Sequence, residues 1–223
     1  GLGADLVRPF SLVIDDVGIY YDGTSPSRLE DILVERDFSE EDRRRGRVLR
    51  ERIVSAGINK YNLGGQEWHR PDGKDRVILV VGQVESDASI RFGSPEVKSN
   101  LELLRRVRKS CPDAYILYKP HPDVVAGLRE AGSDESQASE ISDEVLIDMD
   151  SNRLLTQVDE VHTMTSLLGF EALLRGVPVT CYGLPFYAGW GLTRDRIVSE
   201  RRNRRLELDE LVYATLVEYP RYF

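Results

Sequence analysis

Lys119 and His121 stand in the string YKPHPDV (118–124), at the end of an apolar run, with prolines at 120 and 122. Proline offers no ladder donor and fixes φ, so neither can extend a strand. The pair therefore occupies a stiff turn at a strand end, where a cation and an imidazole can hold an anion. Three further polar segments follow apolar runs in the same way. GQVESDAS (82–89) brings Gln83, Glu85, Asp87 and Ser89. HTMTS (162–166) brings His162, Thr165 and Ser166, the last at a helix start, where unpaired N–H groups and the macrodipole favour a phosphate. GLPFYAGWG (183–191) is a glycine-rich loop carrying Tyr187 and Trp190. Glu171, about a turn and a half into the helix after Ser166, is spaced to accept from ribose hydroxyls.

Cation, imidazole, hydroxyl and helix start together describe a pocket for a phosphorylated nucleotide. Neither GxxxxGK(S/T) nor GxGxxG occurs, which argues against a P-loop nucleotidase and a dinucleotide enzyme. His121 and His162 have no local cysteine or carboxylate set beside them, so no metal is expected. Each residue also has a plain structural use: His121 tied to a carbonyl, Asp87 capping the turn after it, Ser166 as an ordinary N-cap. Their common position after successive strands is what sets them apart, and spacing alone does not choose the reaction.

The elements that must position them repeat along the chain. Strands are predicted at 76–82, 114–119, 158–164 and 177–183, with a weaker one at 144–150. Helices are predicted at 99–110 and 166–176, with a short one near 151–157. Such alternation implies an α/β fold with a parallel sheet wound by right-handed crossovers, whose ligands lie beyond the carboxyl ends of the strands. Upstream, 11–23 reads as a strand pair or extended segment, and 25–36 as a short helix capped by Ser27. Ser39 and Asp42 form a capping-box start to a long helix ending near Gly57. Leu49, Ile53 and Ala56 mark its apolar face, and arginines 43, 44, 45, 47, 50 and 52 cover much of the rest. That basic face is either solvated or turned to an anionic membrane, and Arg201–Arg205 form a second basic patch. Segment 133–144 is an acidic, serine-rich surface loop, and 208–220 a terminal helix.

With 223 residues and 41% hydrophobic content, the chain can hold one large α/β domain or two small ones. A net charge of −8 argues against non-specific nucleic-acid binding. Cys111 and Cys181 fit neither a disulfide framework nor a metal site and read as buried, inert thiols of a reducing cytoplasm. No apolar run approaches the ~20 residues of a membrane span, and no signal peptide is visible.

The segments GLGADLVRPFSLVIDDVGIYYD, NKYN, GQVESDAS, YKPHPDV and HTMTSLLGFEALLRGVPVTCYGLPFYAGWGLT closely resemble the KpsC/LipA family of capsule polysaccharide proteins, over nearly the whole chain. The resemblance implies a retaining β-Kdo glycosyltransferase (Kdo is 3-deoxy-D-manno-oct-2-ulosonic acid) that uses CMP-β-Kdo and no metal. Its implied acceptor is a poly-Kdo linker on a phosphatidylglycerol-type lipid. The implied place is the cytoplasmic face of the Gram-negative inner membrane, peripherally bound, in company with capsule assembly proteins. It also implies a GT-B-like fold of two Rossmann-type halves, with KPHP and HTMTS similar to the phosphate-binding motifs of bacterial sialyltransferases. On that basis 1–65 is part of an acceptor-side half that is incomplete in this chain, 66–75 a linker, 76–205 the donor half and 206–223 a helix packing back across. Carried over, Gln83 and Asp87 form the Q-x-x-x-D motif, with Asp87 the nucleophile and Glu85 a rival carboxylate. Lys119, His121, His162, Thr165, Ser166 and Glu171 become nucleotide and phosphate ligands, with His121 placed to protonate the departing oxygen. Lys60, Tyr61, Asn62, Tyr187 and Trp190 become contacts to Kdo or acceptor. The alternatives are another CMP-sugar transferase of sialyl type, a catalytically idle binding module of a capsule assembly complex, and a hydrolase or epimerase of GT-B shape.

Overall fold

The computed structural model describes residues 10–59, 66–127 and 137–223. In chain order its elements are β1 (Ser11–Val13), α1 (Arg28–Glu35), α2 (Glu40–Ser55), β2 (Val77–Val81), α3 (Ala88–Gly93), α4 (Asn100–Ser110), β3 (Tyr115–Lys119) and α5 (Pro122–Val125). Then follow α6 (Ala138–Ile141), β4 (Glu144–Val145), α7 (Ser151–Leu155), β5 (Glu160–Thr163), α8 (Leu167–Leu174), β6 (Val179–Cys181), β7 (Arg194–Asp195), α9 (Leu208–Tyr213) and β8 (Pro220–Tyr222).

β2 is the centre of the molecule because all five of its residues are apolar and buried, as a strand covered on both faces requires. Alternation sends Val77, Leu79 and Val81 into a cluster with Phe170, Ala172 and Leu173 of α8. Ile78 and Val80 enter a second cluster with Leu103, Leu104 and Val107 of α4. The six strands run in the order β4-β3-β2-β5-β6-β7, all parallel. The chain therefore winds outward from β2 on one side and from β5 on the other. The crevice beyond the carboxyl ends of these two strands is the switch point at which such sheets bind ligands.

Ser27 caps α1 by accepting from the Glu30 N–H, and Ser39 and Asp42 close a reciprocal capping box on α2, both as the sequence predicts. The basic face of α2 has a use inside the fold. It lies along α9, where Arg43 meets Glu210 at 2.9 Å, and Arg47 and Arg50 meet Asp209 at 3.1 and 2.8 Å. Gly46 sits at the crossing, where a Cβ would come within 2.0 Å of the Asp209 carbonyl oxygen. The second patch is also engaged: Arg201 and Arg202 both bind Glu30, at 2.6 and 3.1 Å, and Arg204 donates to the carbonyls of Val34 and Arg36.

Several elements differ from expectation for identifiable reasons. Within 11–23 only β1 is a strand, and it pairs antiparallel with β8. After it, Asp15 gathers the backbone into turns, accepting the N–H groups of Val17, Gly18 and Arg28 and the Tyr219 hydroxyl at 2.7 Å. The strand expected over 144–150 ends at Val145, and Asp148 takes a left-handed φ of 56° that a ladder does not accept. The terminal helix stops at Tyr213, passes through a π-helical turn over Ala214–Glu218 and finishes as β8. Among the described residues no helix is long and apolar enough to cross a membrane. Both cysteines are buried and free.

Candidate functional site

Two compartments open at the carboxyl edge of the sheet and share His121 and Ser166. The narrow one, about 60 Å³, is bounded by Gly82, Lys119, Glu171, Ser151 and Asn59. The broad one, about 470 Å³, is bounded by Gln83, Asp87, Asp123, Thr165, Tyr20 and Tyr21. Its size falls in the ordinary range for a small-molecule site.

The KPHP turn is built by close backbone approach. The Gly82 N–H donates to the Lys119 carbonyl at 2.8 Å, and a Cβ on Gly82 would meet the Tyr118 hydroxyl at 2.6 Å. Lys119 is thereby carried to the rim of the narrow compartment, where burial pushes its ammonium below the usual lysine range while Asp148 opposes the shift. His121 caps α5, its Nδ1 accepting from the Asp123 N–H at 3.2 Å. That bond leaves the proton of a neutral ring on Nε2, which makes Nε2 a donor in either charge state.

Opposite this turn α8 begins. Ser166 Oγ accepts from the Leu168 N–H at 3.2 Å, and the Ser166 N–H donates to Thr163 Oγ1 at 3.1 Å. Glu171 is 7% exposed and faces the narrow compartment from the same helix. Lys119, His121, Ser166 and Glu171, expected together, are together.

Gln83 lies between the ends of β2 and β5 and is bound on every side. Its Oε1 accepts from the Thr165 N–H at 2.8 Å, its Nε2 donates to Thr165 Oγ1 at 3.0 Å, and its backbone exchanges hydrogen bonds with the Asn100 amide at 2.9 Å. These bonds tie the end of β2 to the segment after β5 and to the start of α4. Asp87 is exposed at the start of α3, its Oδ1 fixed by the Ser89 N–H at 2.8 Å, on the wall of the broad compartment. The rival carboxylate, Glu85, accepts from the Asn100 N–H at 2.7 Å and so serves the start of α4.

Three expected contacts do not reach the cleft. His162 is 1% exposed, its Nε2 2.7 Å from Glu160 and its Nδ1 3.3 Å from the Tyr182 hydroxyl. β5 continues through Thr163, and alternation turns His162 toward Tyr182 on the α4 face of the sheet. Tyr187 and Trp190 are fully buried. The Tyr187 hydroxyl donates to the Ser166 carbonyl and the Trp190 indole to the Phe186 carbonyl, so the glycine-rich loop supports the site from behind. Lys60, Tyr61 and Asn62 lie outside the described residues.

The structure adds residues that sequence reasoning missed: Tyr20, Tyr21, Phe186 and Asp123 on the broad compartment, and Asn59 and Ser151 on the narrow one. The adjacent tyrosines of an aspartate-rich stretch were the available signal. Among the described residues no three His, Cys, Asp or Glu side chains are grouped to hold a metal.

A family model described as capsule polysaccharide biosynthesis protein matches residues 5–63 and 48–222. The chain is 51% identical over its whole length to the capsule polysaccharide modification protein LipA of Neisseria meningitidis serogroup B, of which it covers 32%. It is 44% identical to the lipopolysaccharide-processing protein LpsZ of Rhizobium meliloti, of which it covers 51%. The chain thus spans about a third of the first of these curated relatives and about half of the second. Among solved structures, 96% of the chain superposes on Thermosulfurimonas dismutans KpsC, beta Kdo 2,7 transferase, with a TM-score of 0.82, 46% identity and 66% of that chain covered. A second structure, KpsC, beta Kdo 2,4 transferase, from the same organism gives a TM-score of 0.81 at 35% identity, with 67% of it covered. The parallel sheet with flanking helices is consistent with a GT-B-like architecture, and the chain belongs to the KpsC/LipA family of capsule polysaccharide biosynthesis proteins.

Proposed function

We propose that the chain carries the donor site and nucleophile of a retaining β-Kdo transferase acting on CMP-β-Kdo. The observation that supports this most is the convergence of Lys119, His121 and the start of α8 on one narrow compartment, continuous through His121 and Ser166 with a wider cleft that Asp87 faces. The similarity to the Kdo transferases of Thermosulfurimonas dismutans supports Kdo as the sugar.

In this reading the CMP phosphate lies in the narrow compartment. Lys119, the His121 Nε2–H and the positive end of the α8 dipole offset the charge that grows on it as the bond to the sugar breaks. An anion there also reverses the effect of burial on Lys119 and favours its charged form. Glu171 accepts from the ribose hydroxyls. The Asp87 carboxylate attacks the anomeric carbon from the face opposite the phosphate, CMP leaves with the bonding pair, and a glycosyl-aspartate forms. The acceptor hydroxyl then attacks the same carbon, Asp87 leaves as the carboxylate, the hydroxyl proton passes to solvent, and two inversions give net retention. Gln83 is a positioning residue that fixes Thr165 and hence the entry to α8. Residues 76–205 act as the donor half of a GT-B-like pair, and 1–65 belong to its acceptor side. The acceptor is a Kdo-bearing phosphatidylglycerol-type lipid met at the cytoplasmic face of the inner membrane, where capsule assembly proteins are the partners.

The test is incubation of the chain with CMP-β-Kdo and a Kdo glycoside acceptor, followed by chromatography of CMP and product. CMP release with extension of the glycoside is expected. Turnover of CMP-sialate but not CMP-Kdo would replace the sugar, and CMP binding without turnover of either would make the chain a binding module.

A further inference from the structure

Tyr20 and Tyr21 are large aromatic side chains left 37% and 38% exposed on a concave surface. They border the broad compartment and take no part in the narrow one. Their rings are already ordered: Tyr20 meets Tyr21 edge-on at 5.5 Å, Phe186 at 5.9 Å and Tyr219 at 6.2 Å. The backbone beneath is ordered too. Asp15 binds the N–H groups on both sides of the segment, and burial, which acts to raise its carboxyl, is outweighed by those bonds and by Tyr219, so it is held below the usual range. Gly18 lies so close to Pro26 that a Cβ would meet its carbonyl oxygen at 2.3 Å, and Arg201 donates to the Gly23 carbonyl at 2.8 Å. This is a fixed wall, and a pre-ordered aromatic wall binds with little ordering cost.

We propose that Tyr21, braced edge-on by Tyr20, is the platform on which a saccharide unit of the acceptor packs its apolar face. The proposal rests on the transferase reading of the site. A sugar ring presents a patch of C–H bonds whose partial positive charge suits the negative face of an aromatic ring, and whose burial is hydrophobically favourable. Ser89, Asp123 and Thr165 on the same compartment supply polar partners for hydroxyls. The sugar joined to the phosphate must lie beside the shared wall of His121 and Ser166. The tyrosines, absent from the narrow compartment, are left for the second saccharide.

The experiment is calorimetric titration of the whole chain with CMP and, separately, with the methyl β-glycoside of Kdo, for wild type, Tyr21→Ala and Tyr21→Phe, each checked by thermal melting. Tyr21→Ala should weaken the glycoside about tenfold and leave CMP within about twofold, while Tyr21→Phe keeps both. Unchanged glycoside affinity in Tyr21→Ala would overturn the platform while leaving the transferase reading standing. So would a matching loss of CMP, which would assign the rings to the base instead. A wild type that binds neither probe would remove the transferase reading and the platform together.

Discussion

Gln83→Leu separates a group that holds the site from one that reacts. Leucine nearly preserves the volume of glutamine, so the change removes hydrogen bonds rather than packing. The Thr165 N–H loses its 2.8 Å acceptor and Thr165 Oγ1 loses its 3.0 Å donor, although Ser89 Oγ remains 3.3 Å from that oxygen. The Thr165 N–H is half-buried, so losing its acceptor costs about 1–2 kcal/mol, and the neutral bond to Oγ1 adds about 0.5–1 kcal/mol. The sum is about 1.5–3 kcal/mol. For a chain of this size each kcal/mol moves Tm by about 2–4 °C, so a drop of roughly 3–12 °C is expected in a thermal melt, with a matching fall in urea midpoint. CMP affinity should fall only as far as the entry to α8 loosens. A stability loss below about 0.5 kcal/mol together with a large loss of CMP affinity would refute the reasoning and make the amide a direct ligand.

Other consequences follow from the α2 and α9 pairing. Gly46→Ala in an isolated helix stabilises by about 1 kcal/mol. Here the added Cβ meets the Asp209 carbonyl, so a net destabilisation of about 2 kcal/mol is expected by urea unfolding, and a gain would show that the helices are not in contact. Asp42 is subject to burial, which raises its pKa, but the Ser39 N–H and hydroxyl, Tyr213 and Arg36 outweigh this and lower it from 3.8 to about 2. Because the folded value is the depressed one, its stabilisation is present above the unfolded value and is lost as pH falls from 3.8 through about 2. After solvent screening that loss is about 1–2 kcal/mol. Asp42→Asn should flatten the decline in this window, and an unchanged acid-unfolding curve would contradict the assignment.

Much of the site was legible because it is local. The KPHP turn, Ser166 at a helix start and Glu171 on the same helix each need only a short stretch of chain, and the strand order then brings them to one edge. His162 was misplaced although a strand was expected over 158–164: its imidazole was grouped with the loop that follows, whereas alternation along β5 turns it to the α4 face of the sheet. Tyr187 and Trp190 were misplaced because an aromatic, glycine-rich loop has the same composition whether it faces a ligand or a core. Tyr20 and Tyr21 were missed because their position depends on Tyr219 and Phe186, distant in sequence, and on Asp15 folding the backbone into turns. The arginines of α2 look like a surface patch until Asp209 and Glu210 are found beside them.

The central claim is that Asp87 captures the sugar. Asparagine retains the N-capping acceptor for the Ser89 N–H, so Asp87→Asn removes the nucleophile while leaving α3 intact. Intact-protein mass spectrometry after incubation with CMP-β-Kdo, without acceptor, compares the two proteins directly. The account predicts a single Kdo adduct on the wild type, mapped to Asp87 and absent from the variant. An adduct that persists in Asp87→Asn, or a wild type that transfers Kdo without passing through any adduct when quenched during turnover, would contradict it.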